Sequence, residues 1–387
     1  MSWTAYRLIP EDVLFFREAK PSSIGDDHYL RSIFPPFPST LYGLTRTQRL
    51  LQEGCDLSAV SSQWWQALPD ELRRQVGEWG EYGSLQLRGP WLLRTNRRGS
   101  AEDDEILLPA PLDLRIHANA PENADEPRTV TSVARLLPVD RAREKKSWSH
   151  PFAPMSPSIH SESAGAFVPI PPSRHEAGLP PTKLDSPIDW FLKMNGVERW
   201  MDGGTPLPEH FVDSRSLWRS EIRTGVGLQK ERRSNESGML YTFGFVRLAP
   251  GVSIGFELEG GALQPECYVR LGGENRLARL EHGPSLTGQI DAARHTAGGD
   301  GVYTLLAPAI YPNGSYPEAS VIAAVVADAG HVGGWDLAKR GPKRLQRAVP
   351  AGSVYWIDNG PGERLGSLSQ QNHEGFGLML RGNRPGR

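Results

Sequence analysis

Phe34-Pro35-Pro36-Phe37-Pro38-Ser39-Thr40-Leu41-Tyr42-Gly43-Leu44 joins a stiff extended segment directly to the start of a helix. Three prolines fix φ and deny helical geometry until Ser39 or Thr40, whose hydroxyl is placed to cap the first amides. The expected product is a rigid strand-to-helix elbow. Beyond it, Leu41, Leu44, Gln48 and Leu51 fall on one helical face, and Tyr42, Arg46 and Arg49 on another. That second face reads either as a nucleotide platform, an aromatic between two guanidiniums, or as a solvated surface with a snorkelling tyrosine.

Upstream, Val13-Leu14-Phe15-Phe16-Arg17 reads as the end of a buried strand that leads into a polar loop, Glu18 to Asp27. Downstream stand Arg223-Thr224-Gly225-Val226-Gly227 with Gly238-Met239-Leu240-Tyr241, then Leu271-Gly272-Gly273-Glu274-Asn275-Arg276 and Gly333-Gly334-Trp335. Val349-Pro350-Ala351-Gly352-Ser353-Val354-Tyr355 and Gly375-Phe376-Gly377 follow. No one of these is diagnostic, but in this order the chain resembles the third RAMP subunit of type III-B CRISPR (Cmr) effector complexes. The stretch from about 55 to 215 carries no part of the resemblance.

Composition sets limits. A chain of 387 residues suits two domains. No apolar run approaches the roughly 20 residues of a membrane span, so no membrane association is expected. Met1-Ser2-Trp3-Thr4 opens without a basic or apolar leader, and two isolated cysteines, Cys55 and Cys267, make neither a disulfide framework nor a zinc site. A soluble cytoplasmic protein with reduced thiols is the expectation. A net charge of −2 argues against coating nucleic acid by bulk electrostatics. Local patches must serve instead. Arg128, Arg135, Arg141, Arg143, Lys145 and Lys146 form one, which could equally be a solvated surface run; Lys339, Arg340, Lys343, Arg344 and Arg347 form a second, in a loop after Gly-Gly-Trp.

Forty-one glycines and 33 prolines predict many short strands and structured loops. Prolines crowd residues 151 to 187 as an irregular arm, and the domain boundary is placed near 190. Strands are expected over Glu221 to Leu228, Met239 to Leu248, Val252 to Leu258, Glu266 to Leu271, Val302 to Ala307, Ser320 to Val326 and Val349 to Ile357, with Ser234 to Gly238 as a turn. Clear helices are few. The resemblance implies an α+β protein of two ferredoxin-like (RAMP/RRM-like) βαββαβ domains with long insertions. Residues 1–190 would form the first, with a basic, proline-rich insertion at about 120–187, and residues 191–387 the second, with a glycine-rich loop.

Catalytic signatures are absent. No two of the ten histidines lie closer than ten residues, so nothing seeds an HxH or HExxH metal site, and there is no phosphate-binding GxxxxGK[ST] loop. Gly298-Gly299-Asp300-Gly301 has glycine where a polymerase palm needs its second carboxylate. No cofactor or metal is expected. At Gly375-Phe376-Gly377 the missing Cβ atoms would let a phosphate approach backbone amides while Phe376 stacks a base, or the segment is a plain turn into the last strand. For Gly272-Gly273 a tight hairpin with positive-φ glycines is the better reading.

The combined reading is a non-catalytic RNA-binding subunit of an antiviral type III-B CRISPR ribonucleoprotein. The resemblance implies that it grips the 5′ tag of the guide (CRISPR) RNA and docks to the large palm-containing subunit and a backbone RAMP subunit. The expected RNA-binding residues are Ser39, Thr40, Tyr42, Arg46, Arg223, Trp335, Lys339, Arg340, Gly375, Phe376 and Gly377. The alternative is a metal-independent guide-RNA processing endoribonuclease with His28 or His331 as its proton-transfer group.

Overall fold

Two antiparallel sheets that share one inner strand order organise the chain. The computed structural model describes residues 3–18, 29–58, 60–95, 104–123, 125–140, 167–170, 184–228, 235–291, 300–336, 341–360 and 365–385. The larger sheet has eight strands in the order β10 (Phe211–Asp213), β9 (Trp190–Lys193), β4 (Asp104–Pro109), β3 (Gln86–Thr95), β13 (Val252–Glu259), β1 (Thr4–Pro10), β15 (Leu277–His282) and β14 (Cys267–Arg270). The smaller runs β17 (Ser320–Val325), β22 (Val354–Asp358), β16 (Gly301–Leu305), β24 (Leu378–Gly382) and β23 (Leu365–Ser367).

In the first sheet β1, β3, β13 and β15 come in that chain order, yet β13 lies between β1 and β3, and β15 flanks β1 on its other side. In the second, β16, β17, β22 and β24 repeat the arrangement. This is the strand order of the βαββαβ plan, so the α+β class with two ferredoxin-like sheets stands. The helical crossovers are mostly missing. Among the described residues only α1 (Pro38–Gln52), with the short α2 (Ser62–Gln66) and α3 (Asp70–Val76), fills a crossover, between β1 and β3; β14 occupies the β13-to-β15 link and irregular chain the β16-to-β17 link. The sheets also do not divide at residue 190. Strands from both sides of that position pair in the larger sheet, whose last strand along the chain is β15, and the link from β3 to β13 supplies β4, β9 and β10 to the same sheet.

Alternation along the strands assigns the two faces of the larger sheet. Leu92 and Leu107 point to one side with Tyr6, Leu8 and Ile254, where α1, α2 and α3 cover them. Trp91, Leu93, Ile106 and Leu108 point to the other, against α4 (Met194–Met201), α5 (Leu286–Asp291) and the inner face of the second sheet. The larger sheet is therefore the middle layer. Among the described residues no helix is long and apolar enough to cross a membrane.

The same link adds a long ribbon, β11 (Trp218–Leu228) with β12 (Asn235–Leu248), to which β2 (Tyr29–Arg31) adds in parallel. Ser234 lies outside the described residues, but from Asn235 the expected turn is strand, because Asn235 is already paired with Leu228. Paired strands β5 (Leu114–Ala118) and β6 (Val130–Arg135), β7 (Leu137–Asp140) and β8 (Phe167–Ile170), β18 (Gly330–Val332) and β21 (Gln346–Ala348), and β19 (Trp335–Asp336) and β20 (Gly341–Pro342) complete the molecule. Residues 13–16 are buried but form no regular strand; Leu14 makes a lone bridge to Val246 and Arg17 one to Ser32. The last predicted strand starts late, at Val354, because Gly352 (φ 86°) turns the chain first.

Candidate nucleic-acid interface

The elbow enters its helix two to three residues earlier than expected, with the cap at Phe37 and not at Ser39 or Thr40. Phe37 is the N-cap in extended geometry (φ −64°, ψ 146°), Pro38 is the first helical residue, and no side chain caps the end. Proline suits that position because its missing N–H would have had no partner there. Ser39 and Thr40 therefore lie inside the first turn and do not cap it.

The helix is also rotated from the expected orientation. Leu41, Tyr42, Leu44, Thr45 and Leu50 are buried, whereas Leu51 is exposed. Tyr42 meets Tyr82 edge-on at 5.9 Å between centroids, and burial raises its phenol pKa above the ordinary value. Arg46 stacks over Trp65 at 5.3 Å, and burial pulls its pKa down. Three-residue and four-residue spacing could not reveal that the loop of residues 77–85 covers this face. Tyr42 and Arg46 are thus packing residues and not an outer platform.

The opposite side of α1 is open. Thr40, Gly43, Thr47 and Leu51 floor a groove of about 1010 Å³. A Cβ on Gly43 would meet nothing within 4 Å, so the floor there is bare helix. One wall is β14, whose alternation turns Val269 inward and Tyr268 and Arg270 outward. Next comes the glycine turn: Gly272 has φ +75°, and a Cβ there would come within 2.4 Å of the Phe15 carbonyl oxygen, which already accepts from the Gly273 amide at 2.8 Å. The hairpin reading holds in part: of the two glycines only Gly272 has positive φ, and the other left-handed positions of the turn are Glu274 (φ 58°) and Asn275 (φ 52°). Arg17 and Trp335 close the groove.

Two large aromatics in it are unusually exposed, Tyr268 at 62% and Trp335 at 61%. Arg17 and Arg270 bring positive charge, against a single lining carboxylate among the described residues, Asp56, which is engaged by the amide and hydroxyl of Ser58 at 2.8 Å. Exposed π-faces beside guanidiniums are what splayed single-stranded nucleotides need: a sequence-tolerant stacking surface with phosphate partners. Four of the quoted sequence stretches converge here, through residues 15–17, 37–44, 272–273 and 335.

The other expected site residues are elsewhere. Arg223 sits on the ribbon, paired with Glu221 at 2.7 Å and Asp12 at 3.2 Å. Phe376 is fully buried and cannot stack a base. A Cβ on Gly375 (φ +99°) would press on Leu87 and the Gly89 carbonyl, and one on Gly377 (φ +66°) would lie 2.1 Å from the Ser369 Cβ. Close packing, of Gly375 against β3 of the larger sheet and of Gly377 against Ser367 and Ser369 beside β23, explains these glycines without an anion. Lys339, Arg340 and His28 lie outside the described residues. His331 is exposed on β18 opposite Arg347, away from the groove. Tyr268 and Arg270 were missed, although their alternation within the predicted strand Glu266 to Leu271 was a sufficient signal.

A family model for CRISPR-associated protein (Cas_Cmr3) matches residues 6–384. The chain belongs to this family. No curated protein matches it. Among solved structures, a chain of a type III-B Cmr-beta complex bound to cognate target RNA and AMPPnP is similar at 15% identity, over 91% of this chain and 86% of that one, with a TM-score of 0.44. A chain of a Csm3-Csm4 subcomplex from a type III-A CRISPR-Cas interference complex is similar at 11% identity, over 92% and 93%, with a TM-score of 0.35. One of a Csm1-Csm4 cassette in complex with AMPPNP reaches 12% identity, over 100% and 99%, at 0.37.

Proposed function

We propose that this Cas_Cmr3 family chain is the third RAMP subunit of a type III-B CRISPR effector, a non-catalytic subunit that grips the 5′ tag of the guide RNA and docks to the large palm-containing subunit and a backbone RAMP subunit. The observation that carries the RNA assignment is the groove beside α1, where Tyr268 and Trp335 stand exposed with Arg17 and Arg270 around a glycine turn. Bases stack on the two rings, phosphates meet the guanidiniums, and the missing side chain at Gly43 leaves room for the strand to lie close to the helix.

Ultraviolet crosslinking of the full chain to guide RNA that carries a 5′ tag tests this. Adducts are expected at Tyr268 and Trp335, and Tyr268→Ala should weaken binding by about 1–3 kcal/mol. Adducts confined to other surfaces, with unchanged affinity in Tyr268→Ala, would remove the groove from the RNA path.

A further inference from the structure

A second cavity adjoins the RNA groove and has the opposite chemistry. It holds about 780 Å³ between the elbow, the middle of β3, the ends of β4 and β9, and the loops of the second sheet, and it shares Ile33 and Phe37 with the groove. Six prolines line it, at positions 35, 36, 90, 109, 308 and 350. Proline has no N–H, so this wall offers carbonyl acceptors and few donors, and its fixed φ leaves little backbone entropy to lose on binding.

Among the described residues its formally charged lining is acidic, with His331 as the one imidazole. Glu18, Asp189 and Asp328 contribute carboxylates, while no lysine or arginine lines it among the described residues. None of the three takes part in an ion pair among those residues, and Asp189 and Asp328 are exposed. Ile188 is 64% exposed and Leu345 45%, both on the cleft wall. An exposed aliphatic pair in a concave, donor-poor, acidic cleft repels phosphate and suits an apolar anchor flanked by cations.

We propose that this cleft is a protein-docking site for a segment of a neighbouring effector subunit that carries an aromatic or branched aliphatic side chain beside lysine or arginine. The proposal rests on the functional reading above only in taking the chain to be part of a multisubunit complex. RNA in the groove and protein in the cleft would then meet at Ile33 and Phe37, the residues common to both.

The test places p-benzoylphenylalanine at position 345 of the full chain, reconstitutes it with purified type III-B subunits and tagged guide RNA, irradiates, and maps the adducts by mass spectrometry. The expected adduct is to a subunit peptide with an apolar residue within three positions of lysine or arginine. Ile188→Asp should then lower affinity for that subunit at least tenfold, and Asp328→Lys should weaken it further in low salt than in high. Guide-RNA binding and melting temperature should not change in either variant. An adduct to RNA, an adduct to another stretch of this same chain, no adduct, or unchanged subunit affinity in Ile188→Asp would each overturn the proposal. If guide RNA fails to bind the unaltered chain, the RNA assignment falls while the cleft adduct still decides this one.

Discussion

Asp113 and Arg135 face each other at 2.7 Å with both side chains out of solvent. The carboxylate also accepts from the indole N–H of Trp200 at 2.9 Å, and the guanidinium donates to the carbonyls of Trp200 and Gly204. One pair thus fastens the β5–β6 hairpin to α4. Arg135 belongs to the basic run from residue 128 to 146, and so does Arg128, which donates to Asp213 at 2.9 Å and stacks over Trp190. These two cations act inside the fold; Arg141, Arg143, Lys145 and Lys146 lie outside the described residues.

Asp113→Ala would leave Arg135 buried without its counter-charge and the Trp200 N–H without its acceptor. The expected cost is about 3–5 kcal/mol, read by urea denaturation. Asp113→Asn keeps an acceptor and should cost less. A loss under about 1 kcal/mol in Asp113→Ala would mean that water reaches Arg135.

Tyr42 and Tyr268 make an opposed pair on either side of α1. Tyr42 is in the core and Tyr268 is on the groove wall. Tyr42→Ala should therefore destabilise the protein by about 3–5 kcal/mol, lowering the melting temperature. Tyr268→Ala should stay within about 0.5 kcal/mol of the parent stability while losing RNA affinity. Equal melting temperatures for the two variants would contradict the assigned faces.

How much of this was legible in the sequence varied with the kind of signal. Alternation located the ribbon strands, β13 and β14 within a few residues, because period-two burial follows directly from the pleat. Proline and glycine marked the elbow and the Gly272 turn for the same local reason. What failed was long-range. The face of α1 is decided by residues 77–85, which cover Tyr42, and the strand at 252–259 belongs beside β1. Neither contact has a local signature. Gly375-Phe376-Gly377 misled because a glycine that admits a phosphate and one that admits a neighbouring strand look identical in sequence; here Leu87, Gly89 and Ser369 take the space.

Glu221 predicts an acid response of the ribbon. Hydrogen bonds from Arg247 and then Arg223 hold its carboxyl at about 2, below the ordinary 4.5. Ionised Glu221 therefore stabilises the folded ribbon fully above about pH 4.5, and that contribution is lost as pH falls towards 2. Comparing Glu221→Gln with the parent by thermal melting should show a gap that is constant above pH 5, narrows between 4.5 and 2, and closes below. A gap independent of pH would mean that Glu221 acts by packing alone.

Arg270 should read as a phosphate contact. It stands on the outer face of β14 beside Tyr268, in the groove. Arg270→Ala should weaken binding of single-stranded guide RNA and lower the salt slope by about 0.7, one counterion's worth. Weaker binding with an unchanged slope would assign Arg270 to a hydrogen bond with a base or sugar.

The groove and the cleft also bear on whether the chain cuts RNA. A general acid or base must come within hydrogen-bond reach of the phosphate or the attacking hydroxyl, and His331 lines the acidic cleft, not the groove. RNA held on Tyr268 and Trp335 should remain intact on incubation with the purified full chain, in magnesium and in EDTA alike, by gel analysis of end-labelled transcript. Should cleavage appear and His331→Ala abolish it without loss of RNA binding, the endoribonuclease reading would replace the non-catalytic one. The RNA would then have to pass the proline-lined cleft, and Ile188→Asp would be expected to slow cleavage as well.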